Sequence, residues 1–180
     1  AIHLLRQFGG SDALPDLQEL VDDTEPQVQR DAVRAILDIG TEPAYAVLQQ
    51  ALQAGGAATC EAIMQAVGSV RDERATPVYT YILSHLEPRG RMRMVVEQAV
   101  DGLGRLRDPD GLTALTTVLH RGEWWAPFRT AALRRQAAAA IARIGTPEAR
   151  AALQEAQATG SRGVRAAVRR VDPGLRGKEA

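Results

Sequence analysis

Apolar and small residues recur along this chain at helical spacing, and they recur in blocks. Ala13, Ala44, Ala75, Gly111 and Ala149 are small residues in equivalent places. Four positions after each comes Leu17, Leu48, Tyr79, Leu115 or Leu153, and four further come Val21, Leu52, Leu83 and Leu119, with Gln157 breaking the series. A spacing of i, i+4, i+8 marks one face of an α-helix. Upstream lie Val28/Ala32/Ile36, Val95/Ala99/Leu103 and Leu133/Ala137/Ile141, which form a second helical face in each block. The segments between the two faces also align: Ile36–Thr41, Val67–Asp72, Leu103–Asp108 and Ile141–Thr146, at successive offsets of 31, 36 and 38 residues, with Leu5–Gly9 fitting 31 residues before the first. The pattern predicts a tandem array whose unit is two helices joined by a short turn.

The turns carry the matching chemistry. Thr41, Asp72, Asp108 and Thr146 stand where the second helix of a unit needs an N-cap acceptor for its unpaired backbone N–H groups. Pro109 and Pro147 follow at the first helical position, where a missing N–H costs least. Gly9, Gly40 and Gly145 occupy the end of the first helix, the place for a left-handed residue. In the two middle units that slot is held by Arg71 and Arg107.

The run Pro26-x-Val28-x-Arg30-x-Ala32-Val33, Ile36-x-x-Ile39-Gly40-Thr41, Ala44-x-x-x-Leu48-x-x-x-Leu52 resembles the HEAT-like repeat, particularly the short bacterial form first described in phycobilisome lyases. Residues 25–55 match best, 57–87 match most loosely, and the likeness spans about residues 2–171. The resemblance implies an all-α fold, a right-handed α-α superhelix of about four full hairpins with a half-unit at each end. Its repeats would fall at about 1–23, 25–55, 57–87, 89–121 and 124–159, with a cap helix over 161–171, making one array over 1–174 and a frayed tail over 175–180. The chain opens partway through a first helix without an initiator Met, which reads as a fragment of a longer protein.

Composition narrows the function classes. Apolar residues make up 45% of the 180 residues but aromatics only 4%, so the core must be built from Ala, Leu, Val and Ile, which suits closely approaching helices. No apolar run is long enough to span a membrane, and the start Ala1-Ile2-His3-Leu4 lacks the lead of a signal peptide. Cys60 is the single cysteine, which excludes an internal disulfide and a cysteine zinc site and points to a cytoplasmic setting. Cys60 itself, early in a first helix, reads as a small buried filler. The net charge is zero but graded: residues 1–60 carry 3 Arg against 9 Asp/Glu, and residues 121–180 carry 12 Arg/Lys against 5 Asp/Glu. Such a gradient could support weak end-to-end self-association between copies.

In arrays of the resembled family the second helices line the concave surface. That places Tyr45, Gln49, Gln53, Thr76, Thr80, Tyr81, Ser84, Leu112, Thr116, Thr117, His120, Arg150 and Gln154 on it, an uncharged face for much of its length. Tyrosines on such a face pair apolar area with a polar tip, as binding surfaces do. The sharpest local feature is Gly122-Glu123-Trp124-Trp125-Ala126-Pro127-Phe128, which holds both tryptophans and one of the two phenylalanines. Trp124, Trp125 and Phe128 read either as an exposed anchor for a partner or as a plug between repeats. Arg71, Arg74 and Arg107 fall at or near equivalent turns and could form a basic edge that meets phosphates or acids.

No catalytic constellation emerges. His3, His85 and His120 lie in different repeats, and neither a His-x-x-x-His nor a Cys-His pair exists to hold a metal. Some HEAT-like enzymes are di-iron hydroxylases with adjacent His-Glu pairs, and none occurs here; His85-Leu86-Glu87 is spaced wrongly. Gly55-Gly56 is a repeat junction without the Lys of a phosphate loop. The expectation is a non-catalytic scaffold without a cofactor, binding a protein or peptide partner through the concave face and the aromatic loop. Two alternatives come with the resemblance: a lyase or chaperone for a tetrapyrrole chromophore, and a HEAT-like nucleic-acid binder. The sparse acids on the concave face count against the first. Zero net charge, with bases at turns, counts against the second.

Overall fold

A computed structural model of the chain describes residues 10–70, 72–90, 92–121 and 127–171. Every regular element among them is helical. A 3₁₀ turn over Gly10–Ala13 leads into α1 (Leu14–Val21), followed by α2 (Pro26–Ile39), α3 (Glu42–Ala54), α4 (Ala57–Ser69), α5 (Thr76–His85), α6 (Met92–Leu106), α7 (Leu112–His120), α8 (Pro127–Ile144), α9 (Pro147–Thr159) and α10 (Arg162–Val171). The chain is an all-α solenoid, and its described residues form four full hairpins, α2–α3, α4–α5, α6–α7 and α8–α9, flanked by α1 and α10. Among the described residues no helix is long and apolar enough to cross a membrane.

The core follows the period. Leu17, Leu48, Tyr79, Leu115 and Leu153 are all buried, as are Val21, Leu52, Leu83 and Leu119 one turn on. From the first helices come Ala32, Ile36, Ala99, Leu103, Ala137 and Ile141. One cluster runs the length of the stack, because no hairpin can bury its apolar faces alone. Small residues set the spacing locally: a Cβ added to Gly104 of α6 would stand 2.9 Å from the Cβ of Ala140 in α8. Thus α6 (92–106) and α8 (127–144) pack closely, as do α2 (26–39) and α4 (57–69), whereas α4 and α6 touch over a short stretch only.

Three of the four expected caps form. Asp72 accepts from the backbone N–H of Arg74 at 3.1 Å and Asp108 from that of Asp110 at 3.0 Å, each capping a 3₁₀ turn (Glu73–Ala75 and Pro109–Gly111) that leads into the second helix. Thr146 caps α9 directly, accepting from the backbone N–H of Ala149 at 3.2 Å. Thr41 holds the N-cap position with extended backbone, but its hydroxyl makes no cap bond and is buried without a partner. Gly40 and Gly145 are left-handed at φ 64° and 72°, and Arg107 takes the same conformation at φ 57°. In the preceding unit α4 stops at Ser69 and Val70 is extended, so that first helix ends one residue earlier than the alignment implies. Arg71 lies outside the described residues.

Candidate functional site

The second helices bring the expected polar face together in part. Tyr45, Gln49 and Gln53 stand one turn apart on α3. Tyr45 is half-buried against the core, and burial raises its phenol above the ordinary range, opposed by nearby Arg74. Exposed Gln53 donates its side-chain amide to the hydroxyl of Tyr81 on α5, a bond that crosses from one unit to the next. The ring of Tyr81 stacks on His85 with centroids 4.2 Å apart, and the His85 Nδ1 lies 3.2 Å from the Tyr81 carbonyl. Ser84 and His85 are exposed, and both border a hollow of about 610 Å³ where α5 ends, together with Arg121. Farther along, Thr116 is half-buried and His120 exposed on α7.

Two threonines depart from the expected face. Thr76 is buried and donates to Asp108 Oδ2 at 2.6 Å, which ties α5 to the turn of the next unit. The Thr80 hydroxyl is buried without a partner, so it offers nothing to solvent. The basic edge is also less available than its sequence suggests. Arg74 is gripped by Asp72, at 2.6 Å from Nη2, and by Asp38 of the preceding unit, at 2.6 Å from Nη1. The carboxylates raise the Arg74 pKa, and the bonded guanidinium holds Asp72 below the usual carboxylate range. Arg107 is exposed. Trp124 and Trp125 lie outside the described residues, and so does the side chain of Phe128.

The sequence reading missed a second feature. A cleft of about 760 Å³ opens between the first helices α4 and α6. Its lining includes Met64, Met92 and Met94, all three methionines of the chain, with Cys60, Gly68 and Tyr79. Cys60 is buried, its Sγ 3.8 Å from the Leu52 carbonyl. Tyr79 stands where the other units have Leu, and its longer ring reaches through to α6, where a Cβ on Gly102 would meet Cζ at 2.5 Å. Burial raises the Tyr79 phenol, with Arg105 opposing. The legible signals were Tyr79 within a Leu series and glycines inside two first helices. Among the described residues no group of His, Cys, Asp and Glu is arranged to hold a metal ion.

Two family models match the chain: HEAT repeats over residues 1–66 and the PBS lyase HEAT-like repeat over residues 133–159. The chain is a HEAT-repeat protein. Solved structures similar to this HEAT array include human deoxyhypusine hydroxylase in complex with glycerol, at 18% identity and a TM-score of 0.47, covering 97% of this chain and 77% of that one. An engineered protein is similar at 15% identity and a TM-score of 0.43, covering 97% and 84%. No curated protein matches the sequence.

Proposed function

We propose that this HEAT array is a non-catalytic scaffold that holds a protein or peptide partner along its second-helix face. The observation that carries this reading is the Gln53–Tyr81–His85 chain. It joins two units into one surface of uncharged, hydrogen-bonding and aromatic groups. A face of this kind offers apolar area and polar tips at little desolvation cost. Its rings are held by stacking and by a cross-unit bond, so less side-chain freedom is lost on binding.

The test is affinity capture from a native lysate with the wild type and with a Tyr45→Ala/Tyr81→Ala/His85→Ala variant, both checked by circular dichroism for unchanged helicity. The expected outcome is a partner retained by the wild type and lost by the variant. Equal recovery by two folded proteins removes this face as the binding surface.

A further inference from the structure

The cleft between α4 and α6 lies apart from the polar face and has buried core residues, among them Cys60, Met64 and Tyr79, in its lining. Three observations bear on what fills it.

The first is its shape. The other first helices pack directly on one another, so this gap is local. Tyr79, whose ring packs against Gly102 of α6, is part of its lining. Gly68, inside α4, borders it with nothing within 4 Å of an added Cβ. Gly68 stands one residue before the end of α4, and open space rather than a close neighbour meets its missing side chain. The lining runs along α6 from Met92 to Arg105. At the helical rise this is about 20 Å, the length of a short helix rather than of a small molecule.

The second is its lining. Met94 is 65% exposed, the one large apolar side chain so exposed among the described residues, while Met64 in the same lining is 6% exposed. Unbranched thioether side chains repack around an incoming apolar ridge, which is why methionine suits adaptable binding surfaces.

The third is charge. Glu61, Glu97 and Asp101 line the cleft against Arg105. Asp101 is shared by Arg105 and Arg143, and Glu97 pairs with Arg93. Glu61 accepts only from the neutral amide of Gln65, at 3.2 Å, so its charge has no cation among the described residues.

We propose that this cleft is a docking groove for an amphipathic α-helix of a protein partner, whose apolar ridge enters among the three methionines and whose flanking Lys or Arg side chains meet the carboxylates of the rim. The ridge buries apolar surface that α4 and α6 leave open. The basic flank places a cation beside Glu61 and fixes the orientation of the helix.

Because the chain has three methionines and all line the cleft, ¹³C-methyl-methionine spectra report on it directly. The probe is a synthetic Leu/Lys amphipathic peptide of about 18 residues, long enough to form a helix. Its controls are a Leu/Glu counterpart and a Leu/Lys peptide of the same composition with the helical period destroyed. The amphipathic basic peptide is expected to shift all three methyl signals saturably, and the controls to leave them in place. Gly68→Leu, which fills the groove, and Glu61→Lys, which inverts its exposed charge, are each expected to weaken binding about tenfold or more, with helicity unchanged. The proposal is overturned if the methyl signals stay still, if the controls shift them equally, or if both folded variants bind like the wild type. Two further outcomes also overturn it: signals that move on dilution of the protein alone, which assign the cleft to a second copy, and signals moved by a small apolar dye but not by the peptide.

Discussion

Arg134 donates its Nε to the backbone carbonyl of Arg121 at 3.2 Å, and Arg121 donates its own guanidinium to the carbonyls of Leu83 and Leu86 at 3.1 and 3.2 Å. Each arginine therefore satisfies carbonyls at the end of a second helix in the unit before it. Such carbonyls have no intrahelical partner. Arg134 is 8% exposed and no carboxylate pairs with it among the described residues, so burial lowers its pKa. Replacing it with Met keeps the packing volume but strands the Arg121 carbonyl. The expected loss is about 1–3 kcal/mol, read from urea unfolding. A Cβ at Gly163 of α10 would stand 2.6 Å from Arg134 Nη1. Gly163→Ala displaces only the far end of that side chain, so its cost should be small, and it should turn to a gain when Arg134 is already Met, because Ala suits a helix better than Gly. Additive losses would mean the two residues are not coupled.

The contact between Tyr79 and Gly102 leads to a compensating pair. A methyl at position 102 would overlap the phenol ring, and a buried ring cannot swing away as a flexible chain end does. Gly102→Ala is expected to destabilise by about 1–3 kcal/mol through overpacking. Restoring the Leu of the other units should relieve it, so Tyr79→Leu/Gly102→Ala should be more stable than Gly102→Ala alone. Thermal unfolding of the three variants checks this, and an unrelieved double variant would place the strain elsewhere.

These contacts mark the limit of what the sequence carries. Helix order, hairpin pairing and the buried series from Leu17 to Leu153 follow from spacing alone, because period and burial are the same information in a solenoid. Caps at Asp72, Asp108 and Thr146 were legible because a short polar side chain before a helix has few other roles. The cleft was not legible. The distance between α4 and α6 depends on how Tyr79, Gly68 and Gly102 fit across two units, and no periodicity encodes that. On the polar face, Gln53 and Tyr81 were placed but their bond was not. Thr76 and Thr80 show why a face predicted at one-residue resolution fails at its edge, since a small rotation of α5 moves a hydroxyl from solvent to core.

The left-handed turn residues give opposite expectations for the same slot. Gly40 and Arg107 share nearly one conformation, φ 64° and 57°. An L-residue with a Cβ costs about 1–2 kcal/mol there, part of which is offset because it restricts the unfolded chain more than glycine does. Arg107→Gly is therefore expected to raise the midpoint of thermal unfolding, and Gly40→Ala to lower it. A fall for Arg107→Gly would mean that the exposed guanidinium makes a contact worth more than the strain.

Asp72 ties stability to pH. Its carboxylate bonds the Arg74 guanidinium and also caps the 3₁₀ turn that leads into α5, so its folded pKa lies below its unfolded value of about 3.8. The depressed pKa contributes stability above about pH 4 that is lost as pH falls through the lower, folded value. Asp72→Asn retains an acceptor for the Arg74 backbone N–H but removes the charge. The variant should be less stable than the wild type at pH 7, and the difference should shrink as both are taken below about pH 4. The side chains of this pair are 43% and 48% exposed, so solvent and salt screen them and the effect should be small. It should shrink further in high salt. Melting curves at three pH values with and without added salt measure it. A difference that persists unchanged at low pH would assign the loss to the cap rather than to the ion pair.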